Sequence, residues 1–432
     1  MRITVHAVVR LLTAGALLAG GARAAARQPD SPAGLAADDW PWWRGPTHDG
    51  IAAAGQDVPL TWSAQEHVLW TADVPGRGTS SPTVVGDRVY LTSCDEATGS
   101  QSAYAFERRT GRRVWSRVVH PTGAMRKHEK STGASASISC DGERLFAVFA
   151  TSGAVELTAL SLAGEPVWQT RLCEYRIHQG YGASPLVHRD SVIAVADHPG
   201  GGAVAAFDRR TGKERWRQAR PPTPNYSSPI VFRLFDRDQL ILTGCDKVIA
   251  HDPATGAVLW EREGATTECV TTPVTDGTRV FSSGGYPRNH VAAIRADGSA
   301  AIDWENGDRQ YVPSMIIHEG HLYAVLDAGV ALCRDAATGA EKWKGRLGGT
   351  FSGSPVLCAG RIYATNEAGQ THVFRATPER FESLAVNTLG DEAFASPTIC
   401  GGRLYLRYAT HDGGTRQERL ACIGLAAEPS TP

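Results

Sequence analysis

One phrase recurs through this chain and limits what it can fold into. "ERRTGRRVW" ends at Trp115, "SLAGEPVW" at Trp168, "DRRTGKERW" at Trp216, "DPATGAVLW" at Trp260 and "DAATGAEKW" at Trp343, each with a Gly four residues before the Trp. "RADGSAAIDW", ending at Trp304, is the same phrase stretched by two residues. Ahead of each stands a second phrase, such as "SSPTVVGDRVYLTS" from Ser80 or "GSPVLCAGRIYATN" from Gly353. Its small residue falls at 81, 137, 184, 228, 272, 314, 354 and 396, which makes eight copies spaced 40 to 56 residues apart. Such a period belongs to a repeat architecture, in which no unit can bury its own faces and each must stack on its neighbours.

Each unit holds four apolar or alternating runs of about five residues separated by Gly, Asp and Thr turns, the pattern of a four-stranded antiparallel sheet. The predicted fold is therefore all-β, an eight-bladed β-propeller of four-stranded antiparallel blades. The last unit, from Ala395 through "ERLACIGL", offers three strands. The missing outer strand stands near the other end of the chain as "HVLWTADV" from His67, with Trp70 in the place of the repeated Trp. Pairing the two removes a free sheet edge and closes the ring, so cutting the chain before Val74 should open it. Trp70, Trp115, Trp168, Trp216, Trp260, Trp304 and Trp343 become docking residues that lie across the gaps between blades, their indole N–H groups near main-chain acceptors. The Gly in the turn before Trp115, Trp168, Trp216, Trp260, Trp304 and Trp343 supplies the positive φ the hairpin needs. Blade seven, with "ATPERFESL", lacks the indole and is expected to be the weakest seam.

At 432 residues, 42% hydrophobic and 21% charged, the chain has material for a large core; a formal charge of -1 and a pI near 6.9 exert no bulk pull on nucleic acid or anionic lipid. "MRITVHAVVRLLTAGALLAGGARAAA" sets Arg2 and Arg10 before a short apolar run and then small residues at Ala22, Ala24 and Ala26, the order of a secretory signal without a lipid-accepting Cys. The expected division is a signal peptide at 1–26, a lead-in at 27–66, the propeller at 67–425 and a polar tail at 426–432. No later stretch approaches the roughly 20 apolar residues of a membrane span, so a soluble exported monomer, periplasmic or extracellular, is expected. Of the nine cysteines, Cys94 and Cys245 share one repeat position and Cys358 and Cys400 another, positions held apart by the repeat itself. Most are read as small buried thiols.

With the repeat in view, the T-G-x-x-x-W phrase in eight-fold array resembles the tryptophan-docked pyrroloquinoline quinone (PQQ) repeat family over residues 67–425, as a BamB-like exported member. "WPWWRGPTHDG", residues 40–50, is also similar to the segment leading into exported members. The resemblance implies the propeller and two kinds of activity: quinoprotein alcohol dehydrogenation, or the non-enzymatic role of the BamB type in outer-membrane barrel assembly. In those dehydrogenases the quinone lies between an aromatic plane and a disulfide of adjacent cysteines, beside Ca²⁺ held by carboxylates and an amide, with an Asp base. No two cysteines are adjacent here, and the Trp residues are assigned to the seams, to "WPWW" and to position 62 rather than to loops at the axis. Asp95, Glu96, Asp197 and Glu268 come from separate loops. No PQQ, calcium or other metal is expected, and no catalytic residue is assigned.

Function is sought in the loops. In an antiparallel blade the first-to-second and third-to-fourth turns share one face, and here they are short and stereotyped. The loops on the other face are long and varied, including "MRKHEKSTG", "EYRIHQGYG", "RPPTPNYS" and "DRQYVPS", so that face is the expected binding surface. Its candidates are Arg126, Lys127, His128, Arg176, His178, Tyr181, Tyr226, Arg288, His290 and Tyr311, residue types that anchor interfaces or hold anionic groups. "HEGH", His318 to His321, sits on a strand-to-strand turn and lacks the helical spacing of a zinc protease site; "FDRDQ", Phe235 to Gln239, lacks the Gly and terminal Glu of a calcium loop. The expectation is an exported non-catalytic propeller that binds another exported or outer-membrane protein, or an extended ligand. The alternatives are a quinoprotein dehydrogenase with an atypical site and a polysaccharide-binding propeller using Tyr181, Tyr226 and Tyr311.

Overall fold

A computed structural model describes residues 34–123 and 128–425. The expected signal at 1–26, the tail at 426–432, Arg126 and Lys127 lie outside the described residues. The described chain forms eight four-stranded antiparallel sheets. The first is built in chain order from Thr83–Val85, Arg88–Cys94, Gln101–Glu107 and Arg113–His120. Its inner and second strands are almost wholly buried, whereas its outer strand alternates between half-buried and exposed. That gradient follows from stacking: only the outermost strand has a face that water reaches.

The eighth sheet joins Thr398–Cys400, Arg403–Asp412 and Thr415–Ile423 to the early strand Val68–Asp73, pairing Trp70 with Cys422 and Ala72 with Leu420. The ring therefore closes with eight blades and the borrowed strand. All nine thiols are free, and eight of them are buried.

Six of the seven repeated Trp residues donate to a main-chain carbonyl of the following blade. The Nε1 groups of Trp70, Trp115, Trp168 and Trp216 donate to the carbonyls of Arg108, Leu162, Arg209 and Pro253, at 3.0, 3.0, 3.2 and 2.9 Å. Trp304 and Trp343 donate to Ala336 and Thr377 at 2.9 and 2.7 Å. The turn glycine has a second role beside its positive φ. A Cβ on Gly111, Gly164, Gly212, Gly256 or Gly339 would stand 2.4 to 2.8 Å from the indole that the preceding blade lays on it. The phrase thus couples a Trp to the Gly of the next copy.

Trp260 is the exception, and the stretched copy explains it. The turn it faces carries two extra residues, and a Cβ on its Gly298 would meet nothing within 4 Å. Trp260 donates instead to Gln239 Oε1 at 2.7 Å, and Gln239 Nε2 donates on to Ala296 O of the next blade at 2.9 Å. A side-chain amide bridges the distance that the indole cannot.

The seam expected to be weakest is not left open. Blade seven has Ala385 where its neighbours have Trp, opposite Val373. Trp62 of the lead-in comes in beside it, 4% exposed, and stacks on Tyr363 with ring centroids 6.3 Å apart. The equivalent aromatics Tyr90, Phe146, Phe281, Tyr323 and Tyr405 meet their own blades' Trp at 5.9 to 6.2 Å. Trp62 is fixed by its main-chain N–H on Asn387 Oδ1 at 2.8 Å, with Asn387 Nδ2 returning to Leu60 O at 3.0 Å. An eighth indole is therefore supplied from outside the repeat.

The rest of the lead-in crosses the short-turn end of the ring. Trp40 exchanges main-chain hydrogen bonds with Val84, Cys140 N donates to Pro41 O, and Ile51 bridges to Leu357. Arg44, 2% exposed, donates to Pro355 O at 2.9 Å and Met315 O at 2.5 Å; burial lowers its pKa to about 10. Trp42 stacks on His48 with centroids 4.9 Å apart, and burial pushes the His48 pKa down to about 3. One strap thus ties blades one, two, six and seven together across the axis.

Candidate functional site

Each blade begins at the axis, and the residue just ahead of its inner strand is a hydroxyl in all eight copies: Ser81, Ser137, Ser184, Ser228, Thr272, Ser314, Ser354 and Ser396. They are linked in a ring. The main-chain N–H of Ser81 donates to Ser137 Oγ at 2.9 Å, Ser137 to Ser184 at 3.0 Å and Ser184 to Ser228 at 2.9 Å. Thr272 donates to Ser314, Ser314 to Ser354, Ser354 to Ser396 and Ser396 back to Ser81, at 2.9, 2.9, 2.7 and 3.1 Å. At the remaining junction Thr272 Oγ1 accepts from the indole of Trp43 at 2.8 Å. Seven of the eight anchor hydroxyls thus satisfy a main-chain N–H that has no strand partner at the axis.

Toward the long-loop face this ring opens into a funnel of about 460 Å³. Trp43 rises into it from the strap, against the expectation that no Trp lies at the axis. A short segment ahead of the propeller reaches the axis because the strap passes directly beneath it. The walls come from the blade-to-blade loops and include His128, Lys130, Tyr226, Arg309, Tyr311 and Phe394.

Two polar networks set the wall. Glu268, 3% exposed, accepts from the Tyr311 hydroxyl at 3.1 Å and lies 3.7 Å from His178 Nδ1, which stands 3.0 Å from the Tyr226 hydroxyl. Burial and the Glu268 charge push both phenols well above their usual range. On the other side, Lys130 Nζ and Ser352 Oγ each donate to Glu367 Oε1 at 2.6 Å. Asp327 accepts from the Tyr311 N–H at 2.9 Å; burial raises its pKa while Arg309 acts in the opposite sense.

Of the candidates from sequence, His128, Tyr181, Tyr226 and Tyr311 meet at this funnel, with His178 beside Tyr226. Tyr181 is 9% exposed and donates to Val195 O at 2.9 Å, so only its flank reaches the cavity. Arg176 and Arg288 are exposed away from the funnel, and His290 pairs with Glu305 at 3.0 Å on an outer strand. The sequence did not single out Lys130, Glu367 or the hydroxyl ring, although the ring lies on the residue used to count the repeats.

Among the described residues no three His, Cys, Asp or Glu side chains form a metal-binding group. Asp197 is engaged by Arg220 at 2.8 and 3.0 Å, Glu96 faces Arg77 at 3.6 Å, and Asp95 caps its own turn through Ala97 and Thr98. His318 and His321 pair across a tight turn, and Asp238 is surrounded by Arg189, Arg233 and His188. Among the described residues no helix is long and apolar enough to cross a membrane.

A family model described as outer membrane protein assembly factor BamB matches residues 46–172, 100–345 and 313–380. No curated protein matches the chain. Among solved structures, the quinohemoprotein alcohol dehydrogenase from Comamonas testosteroni is similar at a TM-score of 0.67 and 14% identity, covering 92% of this chain and 83% of its own. BamB from Moraxella catarrhalis is similar at 0.59 and 14%, covering 84% and 98%. A europium-containing methanol dehydrogenase is similar at 0.65 and 10%, covering 90% and 98%. At these identities the solved structures carry the fold alone.

Proposed function

The chain belongs to the family described as outer membrane protein assembly factor BamB, and on that premise we propose that it is an exported, non-catalytic binding propeller. Its working surface is the long-loop face with the axial funnel. The observation that carries this is the asymmetry of the two ends: the strap crosses the short-turn end through Trp40, Arg44 and Ile51, while the other end stays open over about 460 Å³. Concave sites framed by loops on a rigid scaffold are the usual place for recognition. The partner on this reading is an exported or outer-membrane protein or an extended ligand, bound by a monomer.

A second reading, an atypical quinoprotein dehydrogenase, draws support from the aromatic floor that Trp43 supplies. It is disfavoured by the lack of adjacent cysteines in the sequence and by the Arg partners that Asp197 and Glu96 already have, and no step through a quinone or calcium is derived. The test is cross-linked capture from cell-envelope extract with three baits: the parent, Arg176→Glu with Tyr226→Ala on the long-loop face, and Arg237→Glu on the opposite face. The proposal expects the first pair of changes alone to abolish capture. Partners retained by the long-loop variant and lost with Arg237→Glu would overturn the face assignment.

A further inference from the structure

We infer that the funnel is a binding site for a neutral, polyhydroxylated ring, the terminal ring of an oligosaccharide. This rests on the binding reading of the long-loop face and names its ligand class.

The hydroxyl ring carries the first part. Ser81, Ser184, Ser228, Ser354 and Ser396 line the funnel and are 2 to 5% exposed. Each oxygen already accepts a neighbour's main-chain N–H, and among the described residues none of the five has an acceptor for its own hydrogen. A nearly buried O–H without an acceptor is a donor held for something that enters the cavity. Five such donors spread around one axis suit a ligand with acceptor oxygens on its whole circumference, as a pyranose has.

The second part is charge. A polyanion needs surplus cations, and among the described residues that line the funnel Glu129 and Asp327 match Lys130 and Arg309 in number, with Lys130 held by Glu367 at 2.6 Å. An uncharged ligand loses nothing by this balance. The third part is the floor: the Trp43 indole, half-buried, offers an apolar plane to the C–H face of a sugar, with Tyr226 and Tyr311 presenting phenols at the side. A cavity of about 460 Å³ lies within the usual range for small-molecule sites.

The test uses titration calorimetry of the protein with a panel of neutral di- and trisaccharides of glucose, galactose, mannose, xylose and N-acetylglucosamine, and with citrate and oligogalacturonate as anionic arms. Each variant is first matched to the parent by circular dichroism. The inference expects saturable binding of at least one neutral sugar, weakened about 3- to 10-fold by Ser354→Ala or Ser184→Ala and more by Trp43→Leu, with Arg237→Ala unchanged. No neutral sugar bound at millimolar concentration, binding by the anionic arms alone, or sugar binding indifferent to Ser354→Ala and Trp43→Leu would each overturn it. Envelope capture separates the two claims: loss of sugar binding in the panel with capture still lost in the long-loop variant removes the ligand class and leaves the face.

Discussion

Trp62→Ala tests whether the lead-in completes the ring of seams. Trp62 is 4% exposed. A buried Trp side chain removes about 200 Å² from water, an upper bound of about 5 kcal/mol at 25 cal/mol per Å². Truncations of buried aromatics to Ala cost about 3–5 kcal/mol. Among the described residues the Trp62 Nε1 has no hydrogen-bond partner, and its main-chain bond to Asn387 survives the change, so the whole loss is packing. Trp343→Ala is the reference. It removes a similar area and also the 2.7 Å bond to Thr377 O, which adds about 1 kcal/mol. A double-mutant cycle of Trp62 with Tyr363 should return a coupling of about 0.5–1.5 kcal/mol. Guanidinium unfolding measures the totals, and amide exchange should localise the loss to the strands from Val356 to Thr388 and from Thr398 to Ile423. A Trp62→Ala protein within about 0.5 kcal/mol of the parent, beside a Trp343→Ala protein that loses several, would refute the idea that this indole seals a seam.

Other changes test the remaining parts. Gly256→Ala and Gly298→Ala share the strain of a positive φ, +76° and +98°, but only the first drives a Cβ to 2.6 Å from an indole carbon. Thermal unfolding should show Gly256→Ala the worse by about 1–3 kcal/mol, and equal losses would deny the second role of the glycine. Gln239→Leu leaves the Trp260 N–H and the Ala296 carbonyl unpaired and should cost about 1–3 kcal/mol; a neutral result in urea would remove the relay. His48 stays neutral in the fold while the unfolded chain takes up a proton near pH 6.5. Its contribution is therefore fully present above about pH 6.5 and falls away toward pH 3, by on the order of 5 kcal/mol. Burial lowers His120, His188, His198, His251 and His372 in the same direction, so His48→Phe should flatten only part of the acid limb. An unchanged pH profile would contradict the burial of His48.

The ring itself was legible because the repeat writes its constraints in every copy. The period counts the blades, the three-strand last unit asks for Val68–Asp73, and five of the Trp residues stand four residues after a Gly. What remained hidden was the partner of each residue, since a repeat gives spacing along the chain and not which copy it touches. Gly256 reads as a turn residue, and only the packing reveals that it yields space to Trp216. The anchor hydroxyls read as small residues for the same reason. The strap was illegible because it is written once: nothing in "WPWWRGPTHDG" or in the isolated Trp62 says which blades it will cross. Loop chemistry divided likewise. Tyr226 and Tyr311 were singled out by residue type and line the funnel, but Arg176 and Arg288 share those virtues and lie away from it, and Lys130 is tied into the wall only through Glu367, distant in sequence.

The central claim is that this member of the family binds and does not oxidise, and cofactor reconstitution tests it most directly. The purified protein would be equilibrated with pyrroloquinoline quinone and Ca²⁺, dialysed, and assayed for retained quinone absorbance and for dye reduction with alcohols and sugars. The account predicts no stoichiometric uptake and no substrate-dependent dye reduction. One quinone retained per chain, with dye reduced when substrate is added, would contradict it.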